Sequence, residues 1–476
     1  MPRSNLQANY RRQNAACGGA KQTFGTPTFY VRSPKCLRIF SARLMATIKP
    51  FAALRPKPEL ATQICELPYD VMSSEEARQI ALNNPFSFLH VSKPEIDLPP
   101  GADLYAPQVY AKGKENFEKL IHDGALRQDS QPRFYVYRQV MGGHSQVGLV
   151  AVVSCLEYLK GIIKKHELTR PEKEDDRVRH IETLNSQTGP VFLTYRAVPA
   201  IDKMIVAVSG DEPNVEGNSP AIDFTAHDGV RHTAWVIGNR SAIRLFVQAF
   251  KEEVPFLYIA DGHHRSAAAA RVYLKRKETN PNPAFGHPLP SDGSGVGGEG
   301  SAWFLAVIFP HNQLQILPYH RVLKDLSGLS AERLLQKLED LFVIKLNGVA
   351  RPTRPHEFGL YLAGKWCTLN FRPQFAATSD PIEKLDVTVL QKYVLDPIFG
   401  IDDPRTSERI NFVGGIRGTE ELEKLVNGGD YACAFSMFPT SIEDLMTIAD
   451  AAGVMPPKST WFEPKLRDGM FCHMLR

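Results

Sequence analysis

The stretch Ile259-Ala260-Asp261-Gly262-His263-His264-Arg265-Ser266 decides how this chain is read. An apolar run, 255–260, empties into an acid and a glycine, and a segment of helical composition, 266–277, follows. A short apolar run bounded by a turn signal reads as a buried strand, and Asp-Gly reads as a tight turn. Strand, turn and helix in that order aim backbone N–H groups and the positive end of a helix dipole at one spot, which suits an anion. Two imidazoles and a guanidinium there add donors for phosphoryl oxygens, while Asp261 could hold a metal ion or a hydroxyl. The competing reading makes Asp261 a helix cap and the histidines packing; so many donors at one strand-to-helix turn favour a site.

Working outward, a helix over 241–252 precedes this unit, and the runs 134–140 and 147–153, separated by Met-Gly-Gly-His-Ser-Gln, read as a hairpin. Further strands are expected at 191–195, 204–208, 221–225, 232–236, 303–309 and 314–317. Helices are expected at 106–122, 330–341, 387–394 and 441–452, and another runs to Ala81 behind the N-cap signal Ser73-Ser74-Glu75-Glu76. The fold class is therefore mixed α/β (α+β). Residues 279–301, rich in Gly, Pro and Ser, read as a flexible insertion. The expected organisation is an extension over 1–45, a catalytic α/β region over 46–345 that carries the insertion, and an α/β region over 346–476 packing on that core.

The charge is uneven along the chain. Of 476 residues, 56 are Lys or Arg and 52 are Asp or Glu. Residues 1–58 hold 11 of the cations and no acid, so the other 418 carry 45 − 52 = −7. An acidic body is a poor match for non-specific attraction to a phosphate backbone, and no nucleic-acid partner is expected. The longest apolar run, 147–159, contains Ser154 and Glu157 and falls short of the about 20 residues that span a bilayer. Seven scattered cysteines without a C-x-x-C pair speak against a disulfide framework or a Cys-based zinc site. The Arg-rich, acid-free first 45 residues have the composition of a mitochondrial or plastid transit peptide, whereas translation from Met45 would leave a cytoplasmic protein.

Two more segments carry chemistry. His166-Glu167-Leu168-Thr169-Arg170, continuing through Asp176 and Arg177, sets an acid beside an imidazole and several cations, an arrangement suited to base catalysis on a hydroxyl; its bland alternative is a solvated charged face. Met455-Pro456-Pro457-Lys458-Ser459-Thr460-Trp461-Phe462-Glu463-Pro464-Lys465 offers Lys, Ser and Thr in a Pro-stiffened loop suited to phosphate or carboxylate, or equally an aromatic anchor for a strand. Tyr319-His320-Arg321 and Pro68-Tyr69-Asp70-Val71 are weaker signals of the same kind.

At these residues the sequence resembles the domain of unknown function 1015 family, from Ile48 to Leu475. Its landmarks here are Lys49-Pro50-Phe51, Pro68 to Val71, Lys165 to Thr169 with Asp176-Arg177, Asp228-Gly229 to His232, Ile259 to Arg265, Pro318 to Arg321, and Pro457 to Phe462. The Asp-Gly-His-His-Arg turn is similar to the phosphate-binding signature of the ParB and sulfiredoxin superfamily, which includes kinases of free L-serine that use ADP or pyrophosphate. That resemblance implies a ParB/sulfiredoxin-like core. It also implies a phosphotransferase taking pyrophosphate, ADP or ATP as donor and a hydroxyl amino acid as acceptor, with Mg²⁺. Asp261, His263, His264 and Arg265 would handle the donor, Asp261 would be the metal ligand, and Glu167 or Asp70 would deprotonate the hydroxyl. Gly262, His166, Thr169, Arg177, His320, Arg321, Lys458, Ser459 and Thr460 are the remaining candidates for phosphate and substrate contacts. The alternative is a ParB-like nucleotide-binding regulatory protein without kinase activity; a sulfiredoxin-type reductase would need a Cys where His263 or His264 stands.

Overall fold

The computed structural model describes residues 45–210, 219–279 and 300–475. The expected transit segment and nearly all of the insertion expected at 279–301 lie outside them. Leu44–Arg476 is one compact unit of mixed α/β structure.

A nine-stranded sheet forms its centre. Its order is Ile163–Lys164, Leu257–Asp261, Val191–Tyr195, Trp303–Pro310, His144–Ser154, Phe134–Met141, Arg231–Ile237 and Ile222–Thr225, with Ile48–Lys49 pairing off the path on His144–Ser154. The expected hairpin is present and turns at Gly142-Gly143, putting Tyr135 opposite Val150 and Tyr137 opposite Gly148. Side chains alternate between the faces of a strand, and here each face is buried against something different. Phe134, Val136, Leu149, Ala151, Leu193 and Ile259 meet the helices Pro199–Ser209, Arg240–Glu253 and His263–Thr279. Tyr135, Tyr137, Val150, Val152, Phe192 and Tyr258 share a second core with Phe462, Leu466 and Phe471 and with residues of a second sheet.

That second sheet is antiparallel throughout and ordered Phe342–Leu346, Lys365–Phe371, Glu357–Leu362, Cys433–Ser436, Tyr319–Leu323, Ile410–Gly414. Its strands come from both sides of position 345. Trp461–Glu463 pairs with Gln315–Leu317, and His473–Met474 returns to pair with Ser186–Gln187.

One expected strand is corrected. Residues 204–208 belong to the helix Pro199–Ser209, whose buried Ile201, Ile205 and Ser209 recur at a spacing of four. Pro199 at the first helical position and Asp202 in the first turn mark its start, and that period outweighs the β-rich look of Ile-Val-Ala-Val. The charged stretch that runs on from His166 enters a helix: Pro171–Leu184 packs beside His263–Thr279, bridged by Arg271 to Asp175 at 2.6 Å and Lys275 to Glu182 at 2.8 Å. Five cysteines, Cys65, Cys155, Cys367, Cys433 and Cys472, are free and buried. Among the described residues no helix is long and apolar enough to cross a membrane.

Candidate active site

Asp261 ends the strand Leu257–Asp261, Gly262 alone makes the turn with φ +97°, and the helix His263–Thr279 begins at once. The expected five-residue turn is thus corrected: His263, His264 and Arg265 already form the first helical turn. Only glycine adopts that φ freely, and a Cβ on it would crowd the Arg265 guanidinium, with Nε at 3.2 Å and Cζ at 3.3 Å. The buried run Ala267-Ala268-Ala269-Ala270 combines high helix propensity with a small profile, which lets the helix lie close on its neighbours.

This turn opens on a cavity of about 690 Å³. Asp70, His166, Glu167, Arg177, Asp261, Gly262, His263, His264, Arg265, Lys458, Ser459 and Thr460 all line it, so candidates from four separate stretches converge. Three do not line it. Thr169 spends its hydroxyl on Glu174 at the start of the helix Pro171–Leu184. His320, on a central strand of the second sheet, is buried and accepts from Met437 N at 3.1 Å. Arg321, also buried, donates to Tyr319 O and to Lys458 O at 3.1 Å, so it props the Lys458 loop from behind.

His166 and His263 make the floor. They are 3% and 5% exposed and meet edge to face at 4.4 Å, and burial holds both rings neutral, His166 down to about 4 and His263 well below its ordinary value. Glu167 Oε2 lies 3.8 Å from His263 Nδ1. The Glu167 side chain is 51% exposed toward the cavity, so what raises its carboxyl is enclosure by the cavity walls, followed by the negative charge of Asp261. His264 Nε2 accepts from the Arg170 backbone N–H at 3.1 Å, which leaves its ring proton on Nδ1. Burial pushes the His264 pKa down, consistent with that neutral ring.

The cations are placed individually. Arg265 donates to Pro190 O and has Nη2 3.7 Å from Asp261 Oδ1. Arg177 lies over the Tyr69 ring at 3.8 Å and is fixed by Asp176 at 2.7 Å, so much of its charge is matched within the wall. Lys458, at φ +56°, stands 5.1 Å over the Tyr319 ring. Lys465 donates to Asp261 Oδ2 at 2.8 Å and sits over Trp461. Burial opposes the Asp261 charge, yet Lys465 and Arg265 hold its carboxyl well below the usual carboxylate range.

Lys465 is the partner that sequence reasoning missed as a site residue, although it stood in a stretch already singled out. A lysine two residues beyond Glu463 gives no hint that it reaches an acid 204 positions earlier. Arg170, Lys173, Asp176, Tyr69 and Tyr319 line the same cavity. Among the described residues, no group of three or more His, Cys, Asp or Glu could hold a metal by itself. The residues do fit Mg²⁺ in the mode where the ion keeps waters and phosphate oxygens beside one or two carboxylates. Asp70 faces the cavity, and Asp261 Oδ1 has Arg265 only at 3.7 Å.

Fold and site together define an α/β protein with a strand–glycine–helix motif lining a polar cavity. The chain belongs to the family described as protein of unknown function (DUF1015), whose model matches residues 48–388. No curated protein matches it. Among solved structures, a free serine kinase in complex with AMP is similar at a TM-score of 0.33 and 12% identity, over 66% of this chain and 86% of that one. A conserved hypothetical protein from Pyrococcus furiosus is similar at 0.32 and 13%, over 67% and 93%. SbnI with C-terminal truncation from Staphylococcus aureus is similar at 0.33 and 10%, over 67% and 85%. Likenesses of that extent say nothing about activity.

Proposed function

We propose that this chain is a phosphotransferase acting on an alcohol group, with free L-serine as acceptor and pyrophosphate, ADP or ATP as donor. The observation that carries the reading is one cavity that combines a donor-rich side, Arg265, His264, Lys458 and the first turn of His263–Thr279, with the carboxylates Glu167 and Asp70. Phosphoryl transfer asks chiefly for positioning and charge stabilisation, and such a lining supplies both.

His264 presents Nδ1–H as a neutral donor because Arg170 N–H occupies its other nitrogen. Arg265 keeps a guanidinium at the strand tip, and Lys458 adds a point charge braced on Tyr319. Glu167 takes the acceptor's hydroxyl proton; its raised carboxyl is a stronger base than an ordinary one. Asp70 and Asp261 Oδ1 would hold Mg²⁺, which when bound offsets charge on the donor's phosphate oxygens.

The test is direct. The chain from Met45 is incubated with L-serine, Mg²⁺ and, separately, pyrophosphate, ADP or ATP, and phosphoserine is measured by mass spectrometry. Product with at least one donor, sharply reduced in His264→Ala, is expected. No product from any of the three, or full activity in His264→Ala, overturns the reading.

A further inference from the structure

Beside the main cavity, and sharing Tyr69, Arg177 and Arg265 with it, lies a second chamber of about 30 Å³. Three polar atoms of its lining residues are buried without a hydrogen-bond partner: Arg265 Nε, Asp468 Oδ1 and Ser92 Oγ. Leaving such groups unpaired is costly, and native structures rarely do so. The set is complementary. It comprises a guanidinium N–H that must donate, a carboxylate oxygen that accepts, and a hydroxyl that does either. One water offers two protons and two lone pairs, needs two to four polar partners, and fits wherever more than roughly 10–15 Å³ is open to it. A monovalent cation does not suit the chamber, because two guanidiniums line it.

The backbone is arranged to keep Asp468 where it is. Asp468 N donates to Glu66 O at 2.9 Å, and Asp468 O accepts from Glu66 N at 3.2 Å. Gly189 stands directly against the carboxylate: its Cβ, if present, would lie 2.5 Å from Asp468 Oδ1. Glycine at 189 thus leaves that oxygen its place.

We propose that a fixed water joins Arg265 Nε, Asp468 Oδ1 and Ser92 Oγ in this chamber, making Asp468 a positioning residue that sets the angle of the Arg265 guanidinium. The water site stands on geometry alone; its catalytic meaning rests on the reading of Arg265 as a ligand of the phosphoryl donor. The charged and titratable groups around Asp468 are Arg265, Asp70, Arg177, Tyr69, His180 and Cys472. Burial pushes the Asp468 carboxyl up to about 7, so its negative charge, and with it the pull on Arg265, fades as the pH falls through neutrality.

The experiment has two arms. In the first, the water is sought in a high-resolution crystal structure, and the Arg265 Nε–H resonance of the ¹⁵N-labelled protein is followed from pH 5 to 9. A water within hydrogen-bond distance of all three atoms is expected, with a shift of the resonance centred near pH 7 that vanishes in Asp468→Asn. Gly189→Ala, which forces the carboxyl aside, should perturb the same resonance. In the second arm, Asp468→Asn raises the KM for the donor about tenfold, leaves kcat within about twofold, and removes the pH dependence of that KM near neutrality. A dry chamber, or a resonance that titrates alike in Asp468→Asn and the unaltered protein, overturns the water bridge. Donor kinetics unchanged in Asp468→Asn overturn the positioning role. An unaltered protein without kinase activity counts against the proposed function and leaves the first arm to decide the water site.

Discussion

Lys465 Nζ lies 2.8 Å from Asp261 Oδ2, tying the segment after Trp461–Glu463 to the tip of the strand that opens the cavity. The ammonium is nearly buried, at 9% exposure, while the carboxylate is 27% exposed. Removing one partner of a buried pair costs about 3–5 kcal/mol. With Asp261 partly open to water, Lys465→Ala should cost about 2–3 kcal/mol, read as a lower midpoint in urea. Lys465→Arg, which keeps the charge, should lose less.

Glu167 carries a carboxyl raised by enclosure and then by Asp261. Its deprotonated form therefore builds up at higher pH than that of an ordinary glutamate at about 4.3. Measured as kcat at saturating donor against pH, activity should rise with pH on a limb displaced above that value. Glu167→Gln should abolish the limb and lower the rate by about 10²- to 10⁴-fold.

Gly262 combines φ +97° with a place where a Cβ would crowd the Arg265 guanidinium. Gly262→Ala should destabilise the fold by about 1–3 kcal/mol through backbone strain and reduce donor binding by displacing the guanidinium. Thermal melting and titration with pyrophosphate check the two effects separately.

Glu66 is 5% exposed, accepts from Ser87 Oγ at 2.7 Å, and is pushed up to about 7 by burial. A folded-state pKa above the unfolded one means that stability is fully present below the unfolded value near 4.5 and is lost as pH rises to about 7. Glu66→Gln removes that loss. The variant should be more stable than the unaltered protein at pH 8, by up to about 3 kcal/mol, and should show little advantage at pH 4. Urea denaturation at the two pH values checks this.

Local signals in the sequence carried much of this structure. The hairpin over Phe134–Met141 and His144–Ser154 and the strand ending at Asp261 are legible because pattern, turn residues and length agree. The helix Pro199–Ser209 is not, since Met204-Ile205-Val206-Ala207-Val208 has strand composition and only Ile201, Ile205 and Ser209 together reveal its period. The cavity candidates from the Asp-Gly-His-His-Arg and Lys458-Ser459-Thr460 stretches were recognisable by residue type. Thr169, His320 and Arg321 show the limit of that approach, because whether a polar side chain faces a cavity or braces a neighbour depends on packing between distant segments. Lys465 and Asp468 depend on such packing entirely.

The path of residues 455–475 has a consequence for biosynthesis. Lys458 to Lys465 complete the cavity wall, Leu466 and Phe471 fill the core under the central sheet, and His473–Met474 closes on Ser186–Gln187. Ribosomes add about 5–20 residues per second from the N-terminus. A nascent chain therefore holds Asp261 without Lys465, and Arg265 without Asp468, while about 200 further residues are added, roughly 10–40 s of synthesis. The cavity wall closes only when residues 455–465, made after every other segment that lines it, join those earlier segments.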